Sequence, residues 1–203
     1  MRHFLFFKTL ALPLAAGLIA GLSAFPAAAQ TGSGTPPSSA SVKPADTLDS
    51  LFSELKREPD EQQAKRISER IWAKWRDSGS ATVNLLIQWA DKAVTDGKNG
   101  LALDLLDQAI VLKPDYVEGW NRRATLHFMM GNHGKSMADI NRVLALEPRH
   151  FGAIAGMAAI LSVSGNDALE LRAWEQMLEI YPASRQAQQK VGELADKLEG
   201  SRT

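Results

Sequence analysis

Two short amphipathic patterns frame the chain. Leu48, Leu51, Phe52 and Leu55 recur at helical spacing, and so do Ala64, Ile67, Ile71, Trp72 and Trp75, with polar residues between them. Both stripes predict helices with one apolar face. Asp46 or Thr47 would cap the first, and Ser78-Gly79-Ser80 ends the second. Near the carboxyl end Ala187, Val191, Leu194 and Leu198 repeat the pattern among Arg, Gln, Lys, Glu and Asp, which predicts a closing helix that is polar outside. The run from Leu10 to Phe25 is different, being apolar without a helical stripe. It follows the basic Met1-Arg2-His3 and Lys8 and precedes Ala27-Ala28-Ala29. That order predicts a secretory signal peptide over 1–29, cut after Ala29. An uncleaved membrane anchor needs about 20 strongly apolar residues, and Pro13, Gly17 and Gly21 dilute the run. Residues 30–46 are Gly, Ser, Pro and Thr with almost nothing to bury, so a disordered linker is expected there.

The middle of the chain is periodic on a longer scale. Pro114, Pro148 and Pro182 stand 34 residues apart, each closing a similar phrase: Ala109–Pro114, Val143–Pro148 and Met177–Pro182. Gly97, Gly131 and Gly165 lie 17 residues before them. A 34-residue period with Gly between two apolar helices and Pro after the second resembles the tetratricopeptide repeat. With the proline at position 32, the repeats are 83–116, 117–150 and 151–184, followed by a capping helix over 185–199. Position 4 is then Leu86, Trp120 and Ile154, and the small position 8 is Ala90, Ala124 and Ala158. Position 20, usually Ala, departs to Ser136 and Glu170 in the second and third repeats. Residues 47–82 form an N-terminal helical pair, which in the same register would be a degenerate further repeat. The resemblance implies an all-α fold: a short right-handed α-solenoid of helix pairs, each burying its apolar face against its neighbours. Trp120 is expected to fill the seam of its pair. Arg123 at position 7 and Asp139 at position 23 are expected to form an ion pair within the repeat.

The same resemblance implies what the chain does. Tetratricopeptide repeats bind peptides and protein segments in the concave groove lined by the first helix of each pair. The groove positions here are Asn84, Gln88 and Asp91 in the first repeat, then Glu118, Asn121, Arg122, Thr125, Phe128 and Met129 in the second. The third offers Gly152, Ala155 and Ala159, with Gly156 beside them. Family members that grip a carboxyl-terminal carboxylate use Lys and Asn at positions 5 and 9. This chain has Ile87 and Asp91 there, so that clamp is not expected. The bare third repeat admits two readings: a close approach by a partner's backbone, or helix packing alone.

Composition narrows the chemistry. The 203 residues carry 23 basic and 23 acidic groups and no cysteine. Losing residues 1–29 would remove Arg2 and Lys8 and leave a small acidic excess, with no footprint for nucleic acid. Absent cysteine excludes disulfides, thiol catalysis and Cys-ligated metal. His127, His133 and His150 are the only histidines after the leader, and no metal-ligand, nucleophile-elbow or phosphate-loop motif accompanies them. No catalytic residue, no metal and no cofactor is therefore expected. The reading is a non-enzymatic adaptor in the periplasm of a Gram-negative bacterium, without a membrane span after cleavage, serving cell-envelope maintenance. The partner is another protein or a peptide segment, and the sequence leaves the oligomeric state open. The alternative is a glycan- or peptidoglycan-associated regulator of a cell-wall enzyme, which exposed aromatics would favour.

Overall fold

The structure, a computed structural model, describes residues 46–200. The expected signal peptide, and the expected linker up to residue 45, lie outside the described residues. Among the described residues the elements are all helical: α1 (Leu48–Arg57), α2 (Glu61–Arg76), α3 (Ala81–Thr95), α4 (Asn99–Leu112), α5 (Val117–Met129), α6 (His133–Leu146), α7 (Phe151–Val163), α8 (Asp167–Ile180) and α9 (Arg185–Gly200). The pairs α3/α4, α5/α6 and α7/α8 stack in chain order, α4 against α5 and α6 against α7, and α9 lies on α8. The fold is an all-α solenoid.

The recurring residues do the same work in each pair. Ala90, Ala124 and Ala158 are buried where the second helix comes closest to the first. Gly97, Gly131 and Gly165 adopt φ of 73°, 75° and 67°, a conformation that costs other residues about 1–2 kcal/mol. At Gly131 the reason is visible: its N–H donates to the Phe128 carbonyl at 2.9 Å, and the Asn132 N–H donates to His127 at 2.8 Å. That pair of bonds satisfies the last carbonyls of α5 and turns the chain into α6. Gly131→Ala should lower the unfolding free energy by about 1–2 kcal/mol, read from urea melts. A Cβ there meets nothing within 4 Å, so the whole cost would be conformational.

The departures at position 20 are absorbed by hydrogen bonds. Ser136 Oγ donates to the Ala124 carbonyl at 2.8 Å, and Glu170 accepts from Trp174 Nε1 at 3.2 Å. Both side chains are buried, so each polar group keeps a partner, as burial requires. Arg123 and Asp139 form the expected pair, bidentate at 2.8 and 2.7 Å. Arg123 also reaches Asp107 of the preceding repeat at 2.6 Å. Trp120 differs from expectation. It is only half-buried, its Nε1 donates to the Pro114 carbonyl at 3.0 Å, and Arg123 lies over its ring. The indole sits at the margin of the seam, held by its polar edge and by cation–π contact.

The first two helices take an arrangement unlike a repeat stacked ahead of α3. Thr47 caps α1 through a reciprocal pair of bonds with Ser50, and α1 then lies against α8. Leu51, Phe52 and Leu55 share one core with Phe151, Ile154, Trp174, Met177 and Leu194. α2 runs along the solenoid edge formed by the turns between repeats. Glu61 at its start meets Arg185 at 2.9 Å. Trp72 and Trp75 meet His150 and Phe151 at the middle turn. At its end, the Arg76 carbonyl accepts from the Tyr116 hydroxyl at 2.9 Å. One helix therefore straps three successive turns.

Candidate functional site: the concave groove

Two adjoining cavities open between the first helices of the repeats. The first, of about 410 Å³, lies between α3 and α5 and is lined by Asp91, Val94, Thr95, Glu118, Asn121, Arg122, Thr125 and Met129 over Ala90, Leu106 and Leu126. The second, of about 260 Å³, lies between α5 and α7, with Asn121, Thr125 and Phe128 on one wall. Gly152, Ala155, Gly156 and Ala159 form the other wall, above Ser136 and Ile140. Asn121 and Thr125 stand on the ridge that both share. The structure thus brings together nine of the sequence-derived groove positions on α5 and α7, with Asp91 facing them from α3.

Asn84 and Gln88 line neither cavity. The Asn84 carboxamide oxygen accepts from the Ser78 N–H at 3.0 Å and the Ser78 hydroxyl at 2.7 Å. It organises the turn before α3. Gln88 is exposed on the same helix, outside both cavities.

The electrostatic centre is Glu118, only 4% exposed. Its carboxylate accepts from Asn121 Nδ2 at 2.8 Å, faces Arg122 Nε at 3.2 Å and lies 3.5 Å from His150 Nε2. Arg122 also pairs with Asp91 across the first cavity. Arg122 therefore spans two carboxylates of the groove, which leaves the lining with one negative charge in excess. The neighbouring Tyr116 hydroxyl is pushed up to about 12, first by burial and then by Glu118.

His150 faces Glu118 from the turn before α7, where the sequence showed only a turn histidine. It is fully buried. Its Nδ1 accepts from the Ala153 N–H at 3.0 Å, capping α7, so in the neutral ring the proton is on Nε2, facing Glu118. Trp75 stacks on the imidazole with centroids 4.0 Å apart. Gly152 is explained by the same cluster. A Cβ there would stand 2.6 Å from Trp72, so this glycine admits the strap helix. At Gly156 a Cβ would stand 3.3 Å from Ile140. Packing thus accounts for Gly152, while Ala155, Gly156 and Ala159 line open space.

Other chemistry is sparse. Among the described residues no three His, Asp or Glu side chains are grouped to hold a metal ion. Burial holds His127 below the usual histidine range, and its Nδ1 lacks a hydrogen-bond partner. No described helix is long and apolar enough to cross a membrane.

A stack of helix pairs with an open inner groove defines a helical-repeat binding module. The chain belongs to the tetratricopeptide repeat-containing proteins: it is 59% identical over 193 residues to a protein of Rhizobium etli described as TPR repeat-containing, covering 95% of this chain and 94% of that one. No protein-family model matches the chain. Solved structures agree on the fold. The first TPR domain of Spaghetti (RPAP3), described as bound to the HSP90 peptide SRMEEVD, aligns with a TM-score of 0.54 at 19% identity, over 59% of this chain and 97% of that one. A crystal structure of MamA aligns with a TM-score of 0.52 at 18% identity, over 75% and 84% of the two chains.

Proposed function

We propose that this protein is a periplasmic adaptor, without a reaction of its own, that holds an extended segment of another protein in the groove between α3, α5 and α7. The observation that carries this is the ridge of Asn121 and Thr125 with an open cavity on each side. Thr125 is exposed at its crest, and an amide beside it can bond an extended backbone without demanding a sequence. Phe128 and Met129 supply adaptable apolar contact one turn further on. The lining carries no lysine and has a carboxylate in excess, so the favoured segment is apolar or basic. An acidic tail such as the peptide in the RPAP3 complex would be repelled.

A photoreactive residue at Thr125 should crosslink a discrete protein in living cells, and Thr125→Arg should lower its recovery at least tenfold, about 1.4 kcal/mol, with unchanged melting. Crosslinking from exposed Val111 on α4 but none from Thr125 would place the site elsewhere. Export is supported by the basic start, the diluted apolar run and Ala27-Ala28-Ala29. The expected product begins at Gln30 and is released by osmotic shock. Retention of residues 1–29 in the membrane fraction, read by intact mass, would refute that part. The envelope is the proposed place of work, with maintenance of it the proposed process.

A further inference from the structure

The polar atoms that line the first cavity have mostly spent their hydrogen-bond donors. Thr125 Oγ1 donates to the Asn121 carbonyl at 2.9 Å, and Thr95 Oγ1 donates to the Asp91 carbonyl at 2.9 Å. Each hydroxyl has thereby used its one proton and keeps only lone pairs. Glu118 sets the Asn121 carboxamide. A buried carboxylate can only accept, so Nδ2 turns to Glu118 at 2.8 Å and Oδ1 is left without a partner. Asp91 meets Arg122 through one oxygen, and its other oxygen accepts no hydrogen bond. Arg122, the one cation of the lining, is shared between Asp91 and Glu118. The cavity therefore offers unused acceptors on Asp91, Thr95, Asn121 and Thr125 under one negative charge in excess. Val94, Leu126 and Met129 make the wall between them apolar.

We propose that this cavity receives a lysine side chain of the bound segment, its ammonium among the oxygens of Asp91, Thr95, Asn121 and Thr125. The inference rests on the binding of an extended segment in this groove and adds the side chain that the groove selects. A pocket rich in acceptors, with a net negative charge, is complementary to a cation that carries several N–H donors. An ammonium is compact, and its three donors rotate to meet separate oxygens. A guanidinium is a planar fork that matches both oxygens of one carboxylate. Arg122 already takes one oxygen of Asp91, which removes that match. The methylene stem of lysine suits the apolar wall. The second cavity has no such charge. Phe128, Ala155 and Ala159 line it, so the preference for a cation comes from the first cavity alone.

The test is fluorescence anisotropy of the full chain as the cell produces it, with labelled, acetylated and amidated peptide pools. Each pool mixes Ala, Ser, Leu and Val around one central residue: Lys, Arg, Glu or norleucine. The lysine pool should bind at least tenfold tighter than the norleucine pool, about 1.4 kcal/mol, and the glutamate pool should bind weakest. Asp91→Asn should bring the lysine and norleucine pools within threefold of one another, with unchanged circular dichroism. Thr95→Val, which alters no charge, should narrow the gap as well, and it keeps the test informative if the first variant misfolds. Asp104→Asn, exposed on α4 and outside the cavity, should leave the gap unaltered, which separates a site from general attraction between charges. Pools that bind without favouring lysine, or that favour arginine equally, would overturn this inference alone. A norleucine pool with a free α-amine that matches the lysine pool would overturn it in favour of a chain terminus. Absence of binding by every pool at millimolar concentration would overturn the groove reading beneath it too.

Discussion

Trp75→Ala should lower the unfolding free energy by about 3–5 kcal/mol, as removal of a buried indole does. Trp75 is buried where the strap crosses the middle turn. Its ring stacks on His150 at 4.0 Å, meets Trp72 edge-on at 5.2 Å, and lies 5.0 and 5.8 Å from Phe151 and Phe52. Truncation would leave a hole bounded by four rings and uncover the imidazole that caps α7. Trp75→Phe should cost far less, because the Nε1 of Trp75 makes no hydrogen bond and the apolar face is mostly kept. Urea titrations followed by circular dichroism give both values. A loss below about 1 kcal/mol for the alanine variant would mean that α2 contributes little to holding the turns.

The second large effect lies on the other edge. Arg123→Ala should cost about 3 kcal/mol, since it leaves the carboxylate of Asp139 buried without its counter-charge. The cost resides in what is left behind. Asp107→Ala should therefore cost under about 1 kcal/mol, Asp107 being more than half exposed. Replacing both members at once, Arg123→Met with Asp139→Leu, should recover most of the loss. Thermal melts of these three variants against the wild type separate the contributions. Equal losses from Arg123→Ala and Asp107→Ala would show that the bridge to the preceding repeat, rather than the buried pair, is what stabilises.

What was legible in the sequence follows the range of the interactions concerned. Each repeat is a local unit, so Gly131, Pro148 and Ala124 announce a turn, a stop and a close approach within a few residues of where they act. The Arg123–Asp139 pair was also legible, because position 7 and position 23 of one hairpin are neighbours by construction. The path of α2 was not. Ile67, Ile71 and Trp75 show that a helix has an apolar face, and the same stripe would result whatever covered it. The partners, Phe151, Trp174 and Leu194, lie far along the chain. Gly152 carried the trace of that contact as a missing side chain in the third repeat. Arg122 was placed in the groove by its position in the repeat, and the structure holds it between Asp91 and Glu118. Charge balance across a groove depends on which helices face one another, and spacing along one helix does not supply it.

The long reach of the strap also bears on how the protein comes to be made. Asp49 pairs with Arg149, 100 residues later, and Glu61 with Arg185, 124 residues later. A chain synthesised from its amino end at about 5–20 residues per second would expose the apolar faces of α1 and α2 for on the order of 5–25 s before their partners exist. During that interval Phe52, Ile71 and Trp75 have only one another for cover, without the third repeat and α9 that complete their core. Two nascent chains side by side could exchange these hairpins, each closing on the turns of the other, since the same contacts would be satisfied either way. A message cut short before the codon for His150 would yield no more than two repeats and a hairpin with nowhere to dock.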